Sequence, residues 1–314
     1  MARRRKGRDV TGWLIVDKPS GIGSTDVVTA VRRALDARKA GHAGTLDPDA
    51  TGVLAIALGE ATKIVPWLQD AEKSYRFAVR FGAATATDDA AGEVVATSGR
   101  RPSAEEIAAA LPAFTGDIEQ VPPAYSAVRT EGRRAHMVAR GGGVPDLAAR
   151  PLRVHALALE GMEDESTAIL TMTCGKGGYV RAIARDLGAA LGGHAHCLWL
   201  RRTQSGPFAA QDGIAMDALS DPAAIALLPL EAAIPGMARV TATQAGAVRL
   251  AHGNAGEAIA SGAAPAYGAE ALAMRDGRAL AIGAWRGGML HPSRVFVAPG
   301  PAGAAEGSGG PGAT

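Results

Sequence analysis

Short apolar runs and alternating patterns mark several strands in the first half of the chain. Residues 13–16 and 53–58 are almost uninterrupted apolar runs, which predicts two buried strands. In residues 75–81 the odd-numbered positions are aromatic or aliphatic, whereas Arg76 and Arg80 occupy even positions. This alternation predicts a strand with one buried face and one polar face.

Other segments have the three-to-four-residue spacing of helices. Helices are predicted from Ser24 or Thr25 as the N-cap through Leu35, across residues 60–69, from the capping box of Ser103 and Glu106 to about residue 111, and from residue 180 to 191. Two further strands are predicted near residues 154–160 and 168–174. Strands interleaved with helices, several of them locally antiparallel, favour an α+β fold with a mixed, mainly antiparallel sheet flanked by helices.

Composition changes divide the chain into four parts. Residues 1–11 are basic and polar and are predicted to be a flexible arm, and residues 12–235 form the main domain. Residues 236–297 contain short strand-like segments between glycines, which predicts a small β-rich module. Residues 298–314 consist almost entirely of Gly, Ala, Pro and Ser and are predicted to be a disordered tail.

The overall charge is small, but the cations are clustered. The formal net charge is +2 in 314 residues. Local basic patches can nevertheless bind a phosphate backbone. Pairs or runs of cations occur at residues 3–6, Arg32–Arg33, Arg38–Lys39, Arg133–Arg134 and Arg201–Arg202. Two cysteines and the absence of an apolar run of membrane-spanning length predict a cytoplasmic protein without a disulfide framework and without a membrane segment. With no evident apolar interface, a monomer is expected.

The main chemical candidate is Asp47, in a glycine-rich loop at residues 41–52 with His42 close by. A calcium loop of the EF-hand type would need a bidentate Glu where Leu58 stands. An aspartate-nucleophile phosphatase would match Asp47, Asp49 and Thr51, but its first Asp must follow an apolar strand. In a third interpretation, the Asp47 carboxylate attacks the anomeric carbon of a sugar or stabilises positive charge on it. A hydrolase would need a second carboxylate to activate water, so one fixed carboxylate suits an isomerase best.

Several motifs, in order and spacing, resemble those of the bacterial tRNA pseudouridine-55 synthases, the TruB family. They cover roughly residues 12–220. The matching segments are residues 18–21 (KPSG), 41–48 (GHAGTLDP), 59–63 (GEATK), 73–76 (KSYR), 122–127 (PPAYSA), 174–181 (CGKGGYVR), 193–196 (GHAH) and 200–203 (LRRT).

This resemblance implies isomerisation of the T-loop uridine of tRNA to pseudouridine, by base flipping and without cofactor or metal. It implies that Asp47 is the nucleophile, that Tyr75 stacks on the uracil and serves in proton transfer, and that Arg181 pairs with the nucleophile. It also implies a pseudouridine-synthase-like fold with a PUA-like C-terminal module, and the T-arm of tRNA as the partner.

Further positions are expected to bind the substrate. The resemblance implies that Tyr179 and Leu200 line the uracil pocket and that His42 occupies the space of the flipped base. Lys18 and Lys176 are candidates for contacts with phosphate or for positioning loops. Two alternatives stay open, namely a synthase acting on another RNA and an RNA-binding or tRNA-folding protein that has lost catalysis.

Overall fold

The structure is a computed structural model that describes residues 7–130 and 132–297. Predictions for residues 1–6 and for the tail at 298–314 lie outside the described residues. The strands are β1 (Gly12–Lys18), β2 (Ala40–His42), β3 (Thr51–Leu58), β4 (Lys73–Phe81), β5 (Ala83–Thr85), β6 (Val94–Thr97), β7 (Gly116–Gln120), β8 (Arg129–Thr130), β9 (Arg133–Arg134), β10 (Arg150–Asp164), β11 (Thr167–Cys174), β12 (Ala195–Ser205), β13 (Phe208–Ala209), β14 (Ala238–Ala242), β15 (Gly256–Ala260), β16 (Glu270–Arg275), β17 (Arg278–Arg286) and β18 (Met289–Val295).

The helices lie between these strands. They are α1 (Ser24–Ala34), α2 (Val65–Asp70), α3 (Ala104–Ala110), α4 (Ala135–Arg140), α5 (Val180–Ala190) and α6 (Gln244–Ala251). Short 3₁₀ segments supplement them, among them Gly59–Lys63 directly before α2 and Leu111–Phe114 directly after α3. The predicted capping box is present at α3, where Ser103 accepts from the Glu106 amide and the Glu106 carboxylate accepts from the Ser103 amide.

The main sheet is mixed and mainly antiparallel, as predicted. Its strand order is β1-β3-β12-β4-β11-β10-β7, with β2 attached to β3 and β13 attached to β12. The contact between β12 and β3 is parallel, whereas the other neighbours in this order are antiparallel. β3 directly follows the loop of Asp47, β12 carries Arg202 and β4 carries Tyr75. These three strands lie side by side in the centre of the sheet.

The apolar faces of these elements form the core. The predicted face of β4 is buried, since Phe77 and Val79 have no exposed surface and pack with Ile183 and Leu187 of α5. On the other side of β1 and β3, Val27 and Val31 of α1 pack against Leu54 and the neighbouring side chains of β3. Burial of these aliphatic and aromatic side chains stabilises the arrangement by roughly 1.5–3 kcal/mol per large residue.

The C-terminal region is a small closed barrel with the order β14-β15-β18-β17-β16. It is β-rich as predicted. Leu272, Ile282 and Phe296 pack in the same cluster as Trp13, which attaches the barrel to the main sheet. Lys63 also donates to the Val295 carbonyl at 2.6 Å. The described domain boundaries and a PUA-like character remain predictions.

Three local predictions need correction. Residues 7–11 are not a free arm, because the Arg8 amide donates to the Asp36 carbonyl and Arg38 pairs with Asp9 at 3.0 Å. Ser24 does not cap α1; Gly23 is the N-cap, and the Ser24 side chain points into the core. The helix predicted across residues 60–69 is divided into a 3₁₀ segment and α2, with Pro66 in the first turn of α2.

Candidate active site

Asp47 lies in a loop of residues 43–50, here called the Asp47 loop, between β2 and β3. Leu46 and Ala50 of this loop are buried beside α1. The Ser24 hydroxyl donates to the Leu46 carbonyl at 2.7 Å and accepts from the Leu46 amide at 2.9 Å. The neighbour of Asp47 is therefore tied through both of its backbone polar groups to the first residue of α1.

Lys18 is a second anchor of this loop. Its side chain is fully buried, and its ammonium donates to the carbonyls of Pro48 at 2.7 Å, Ile22 at 2.8 Å and Pro19 at 2.9 Å. An ammonium has three donors, so these contacts use its whole capacity. These contacts support a loop-positioning role for Lys18, and a contact of Lys18 with the substrate stays a prediction.

Arg202 is a third anchor, from β12. Its guanidinium donates to the carbonyls of Gly44 at 3.1 Å and Thr45 at 3.4 Å, both in the Asp47 loop. It also donates twice to the Val53 carbonyl of β3, at 2.8 and 2.6 Å. Three side chains from separate elements thus hold the backbone on both sides of Asp47.

Arg181 contacts the Asp47 carboxylate directly. Nε of Arg181 lies 2.9 Å from Oδ2 of Asp47, and Nη1 lies 3.4 Å from Oδ2 of Asp89. The Arg181 side chain is 6% exposed, whereas that of Asp47 is 43% exposed. The remaining donors of Arg181 bond the carbonyls of Thr87 at 2.8 Å and Tyr125 at 3.0 Å. Asp47 is thereby oriented by a buried cation while part of its side chain remains accessible.

The ionisation of Asp47 reflects opposing influences. Burial raises the pKa of Asp47 above its usual value, and the Asp89 charge adds to this. The Arg181 guanidinium and the Lys18 ammonium lower this pKa. Pairing with Arg181 alone would place the pKa below its usual value, but the net direction is upward because desolvation is the largest contribution.

Tyr75 lies on β4, between β12 and β11. Its cross-strand partners are Arg202 on one side and Met172 on the other. Burial raises the pKa of the Tyr75 phenol, and Asp47 raises it further, whereas the adjacent Arg202 guanidinium lowers it. The phenol is therefore part of the same electrostatic environment as the Asp47 carboxylate.

His42 is the last residue of β2 and directly precedes the Asp47 loop. Burial and the Arg202 charge lower the pKa of its imidazole. Its Nδ1 is buried and has no hydrogen-bond partner among residues 7–130 and 132–297. The ring is thus neutral near pH 7, which suits a stacking role.

The other expected substrate-binding residues are distributed around this centre. The backbone of Tyr179, at the N-cap of α5, is held by the Gln120 side chain through bonds of 2.9 and 3.1 Å. Leu200 of β12 packs against the core cluster of β4 and α5 and against the cluster of α1 and β3. Lys176 is exposed and pairs with Asp70 at 2.6 Å, so it lies on the surface rather than in the buried centre.

The predicted basic pairs differ in their surroundings. Arg201 forms a bidentate ion pair with Asp17, at 2.9 and 2.7 Å, and Arg202 is buried, so this pair is not a phosphate-binding patch. Arg133 and Arg134, on the hairpin of β8 and β9, are exposed. This hairpin follows Tyr125, whose carbonyl is bonded to Arg181.

Asp89, Ser24 and Arg202 are parts of this site that sequence reasoning did not assign. The sequence pattern places Arg202 in a basic pair with Arg201 and makes Ser24 a candidate helix cap. For Asp89 the available signal was an acidic pair, Asp88–Asp89, after the predicted strand at residues 75–81. Asp88 has a φ of 61°, and its carboxylate pairs with Arg185 at 3.0 Å.

Two further observations concern ligands and membranes. Within the described part of the chain, no group of three or more His, Cys, Asp or Glu residues is arranged to hold a metal ion. None of the described helices is both long enough and apolar enough to cross a membrane.

Comparison with known proteins identifies relatives across nearly the whole chain. The profile for the TruB family pseudouridylate synthase N-terminal domain matches residues 32–180, and that for the tRNA pseudouridylate synthase B C-terminal domain matches residues 181–234. A tRNA pseudouridine synthase B of Cereibacter sphaeroides is 57% identical, covering 94% of this chain and 99% of the relative. The protein of the same name from Paracoccus denitrificans is 59% identical, covering 93% of this chain and 98% of the relative.

Solved structures support the same relationship at the level of the fold. A chain of a Cbf5-Nop10-Gar1 complex is 25% identical, with a TM-score of 0.69 and coverage of 91% of this chain and 85% of the other. A chain of an archaeal box H/ACA sRNP Nop10-Cbf5 complex has a TM-score of 0.70 at 24% identity, covering 92% of this chain and 87% of the other. With relatives above 50% identity over nearly its full length, the chain belongs to the TruB family of pseudouridine synthases.

Proposed function

We propose that this protein is an enzyme that isomerises uridine to pseudouridine in the T-loop of tRNA, at position 55, with Asp47 as the nucleophile. The observation that carries the proposal is the 2.9 Å contact between Arg181 and a half-exposed Asp47 in a loop with three side-chain anchors. A carboxylate held in one orientation can form, or electrostatically support, a link to the anomeric carbon of a ribose.

The substrate base has to leave the RNA stack to reach this carboxylate. A neutral His42 ring beside the Asp47 loop can stack in the space that the base vacates. Tyr75 offers an aromatic ring for the uracil and a phenol for proton transfer. Tyr179 and Leu200 complete the apolar lining. In the reaction the bond between uracil N1 and the ribose breaks, the uracil turns while it is held, and a bond forms between uracil C5 and the same ribose carbon. The C5 proton is lost and N1 takes up a proton, so that the product is an isomer of the substrate.

Binding of the T-arm is assigned to exposed cations near the site. Arg129, Arg133, Arg134 and Arg140 are exposed in the segment that begins beside Arg181. Arg32, Arg33, Arg38 and Lys39 form a second basic surface, just before β2 and the Asp47 loop. Such surfaces contact phosphates and position the RNA without reading its bases. A cytoplasmic location, a monomeric state and a main domain ending near residue 235 are parts of the same proposal.

The test is to map pseudouridine in tRNA after incubation with purified protein. Wild-type protein should convert the T-loop uridine, and Asp47→Asn should abolish conversion while it still binds tRNA. Asp49→Asn is the matched control, because Asp49 is an exposed carboxylate two residues further along the same loop. It should retain the wild-type rate within about threefold, as expected for an exposed site.

Three results would contradict the proposal in different ways. An Asp47→Asn variant with a near wild-type rate would remove the nucleophile assignment. Conversion of uridine elsewhere, with the T-loop uridine intact, would favour a synthase acting on another RNA. Tight tRNA binding with no conversion by the wild type would favour the RNA-binding or tRNA-folding alternative.

A further inference from the structure

Arg202 is a buried cation whose guanidinium donates to main-chain carbonyls and also contacts the Tyr75 phenol. The residue is 2% exposed, and its guanidinium contacts the carbonyls of Val53, Gly44 and Thr45. Among the residues that the structure describes, no carboxylate lies within ion-pair distance of it. A guanidinium buried without a carboxylate is costly to desolvate. This desolvation cost has a functional explanation if the Arg202 charge acts on the neighbouring Asp47 loop and Tyr75.

The backbone geometry fixes Arg202 at this place. In β12 it lies opposite Gly52 of β3 on one side and opposite Tyr75 of β4 on the other. Gly52 has a φ of +99°, and a Cβ atom there would lie 2.1 Å from the Arg202 carbonyl oxygen. This close approach requires glycine. Arg202 is thereby held between the end of the Asp47 loop and the strand that carries the phenol.

The charge of Arg202 affects the groups around it. It lowers the pKa of the Tyr75 phenol, against the upward effect of burial, and it lowers the pKa of His42. The other titratable groups that act on the phenol are Cys174 of β11 and Asp47, which both raise its pKa. Arg202 is therefore the cation that opposes the effect of desolvation on the pKa of Tyr75, although the net direction stays upward.

We propose that Arg202 is a positioning residue of the active site, which holds the Asp47 loop through Gly44 and Thr45 and sets its positive charge against the Tyr75 phenol oxygen. This inference rests on the proposed function for its kinetic consequence. Because one rigid guanidinium contacts both the Asp47 loop and the Tyr75 phenol, the position of the Asp47 carboxylate would be coupled to that of the phenol. A guanidinium suits this task because its donors are planar and its charge persists when buried.

Two variants distinguish the hydrogen bonds of the Arg202 guanidinium from its charge. Arg202→Lys keeps a cation but cannot span the three carbonyls, and Arg202→Met removes both features. Arg76→Met is the matched control, since Arg76 neighbours Tyr75 in β4 but points to the opposite, exposed face and pairs with Glu160. The measurements are the Kd for a T-arm RNA, the single-turnover rate of pseudouridine formation and the titration of Tyr75.

The chain contains four tyrosines, which makes the titration of a single phenol measurable. With 3-fluorotyrosine in place of tyrosine, fluorine NMR follows each phenol, and Tyr75→Phe identifies the Tyr75 resonance. We expect both Arg202 variants to bind RNA within about threefold of wild type, because RNA binding depends on surface cations. Their single-turnover rates should fall by about a hundredfold, as for a reacting group displaced by roughly 1 Å.

The titration distinguishes positioning of the phenol from a purely structural contribution. Tyr75 should titrate at higher pH in Arg202→Met than in wild type, Arg202→Lys or Arg76→Met. A Tyr75 titration that does not move in Arg202→Met overturns the electrostatic part of the inference. A wild-type rate in Arg202→Lys overturns the positioning of the loop, and this variant decides alone if Arg202→Met does not fold.

Failure of the proposed function would look different. Wild-type protein would then form no pseudouridine, whereas the Tyr75 titration would still report on Arg202. Hydrogen exchange at the Leu46 amide would also still report on the loop. Faster exchange in both Arg202 variants supports the loop contact, and unchanged exchange overturns it.

Discussion

The guanidinium of Arg181 bridges the carboxylates of Asp47 and Asp89, at 2.9 and 3.4 Å. The three residues come from the first turn of α5, the Asp47 loop and the turn between β5 and β6. Arg181 also bonds the Tyr125 carbonyl, at the start of the segment that carries the basic hairpin. One buried side chain therefore connects the candidate nucleophile with a part of the proposed RNA-binding surface.

Arg181→Met should lower the single-turnover rate by about a hundredfold or more, the scale of losing one preorganised charge contact. It should also move the acidic limb of the pH–rate profile to higher pH. Arg181 lowers the pKa of Asp47, so without it the carboxylate takes up its proton at a higher pH as the solution is acidified. The measurement is the single-turnover rate from pH 4 to 8.

Arg185→Met is the control for this prediction. Arg185 lies one turn further along α5 and pairs with Asp88 and Asp186 rather than with Asp47. Its removal should leave the acidic limb in place. An acidic limb that moves equally in both variants would show that the shift does not come from the contact with Asp47.

Ser24→Ala should reduce stability and loosen the Asp47 loop. The substitution leaves the amide and the carbonyl of Leu46 without their partner in a buried position, at a cost of about 1–3 kcal/mol. Chemical denaturation measures the change in the free energy of unfolding. Thr25→Ala is the matched control, since the Thr25 side chain is exposed on the same first turn, and it should change stability by less than about 0.5 kcal/mol. Equal losses in both variants would contradict the anchor.

His42→Phe should retain most of the activity, and His42→Ala should not. The lowered pKa of His42 means that its ring is already uncharged near neutral pH and becomes protonated only at more acidic pH. An aromatic ring without nitrogen can therefore replace it, whereas alanine removes the stacking surface, which is worth about 1–3 kcal/mol per base. Between pH 6 and 8 the profile of His42→Phe should match that of wild type. A lost or displaced limb there would indicate a proton-transfer role.

Removing two cations from the β8–β9 hairpin should weaken RNA binding and its salt dependence. Arg133→Gln combined with Arg134→Gln should reduce the slope of log K against log salt by about one for each lost phosphate contact. The matched control is Arg76→Gln combined with Arg80→Gln, on the exposed face of β4 away from Tyr75. For both double variants, titrations with T-arm RNA at several salt concentrations give the binding constant and the slope. Equal slopes for the two double variants would remove the hairpin from the interface.

Much of the fold could be predicted from local patterns. The apolar runs at residues 13–16 and 53–58, the alternation in β4 and the stripe of α5 all correspond to observed elements. Local patterns failed where a longer-range contact dominated. Serine is a common helix cap, but the Ser24 hydroxyl contacts the Leu46 backbone instead. Residues 7–11 have the composition of a free arm, but the Arg8 backbone hydrogen-bonds with Asp36 and Arg38.

The amino-acid sequence alone determined several strands and helices, among them β1, β3, β4 and α5, and the constrained loop around Asp47. Through the family motifs, it also indicated that Tyr75 and Arg181 lie in the same site as the Asp47 carboxylate. These features depend on residue type and spacing within short stretches. Only the tertiary structure decided that Lys18, Ser24 and Arg202 converge on the Asp47 loop and that Asp89 shares Arg181. A cation looks the same in sequence whether it is solvated or buried, and its environment is set by strands that pair across large separations along the chain.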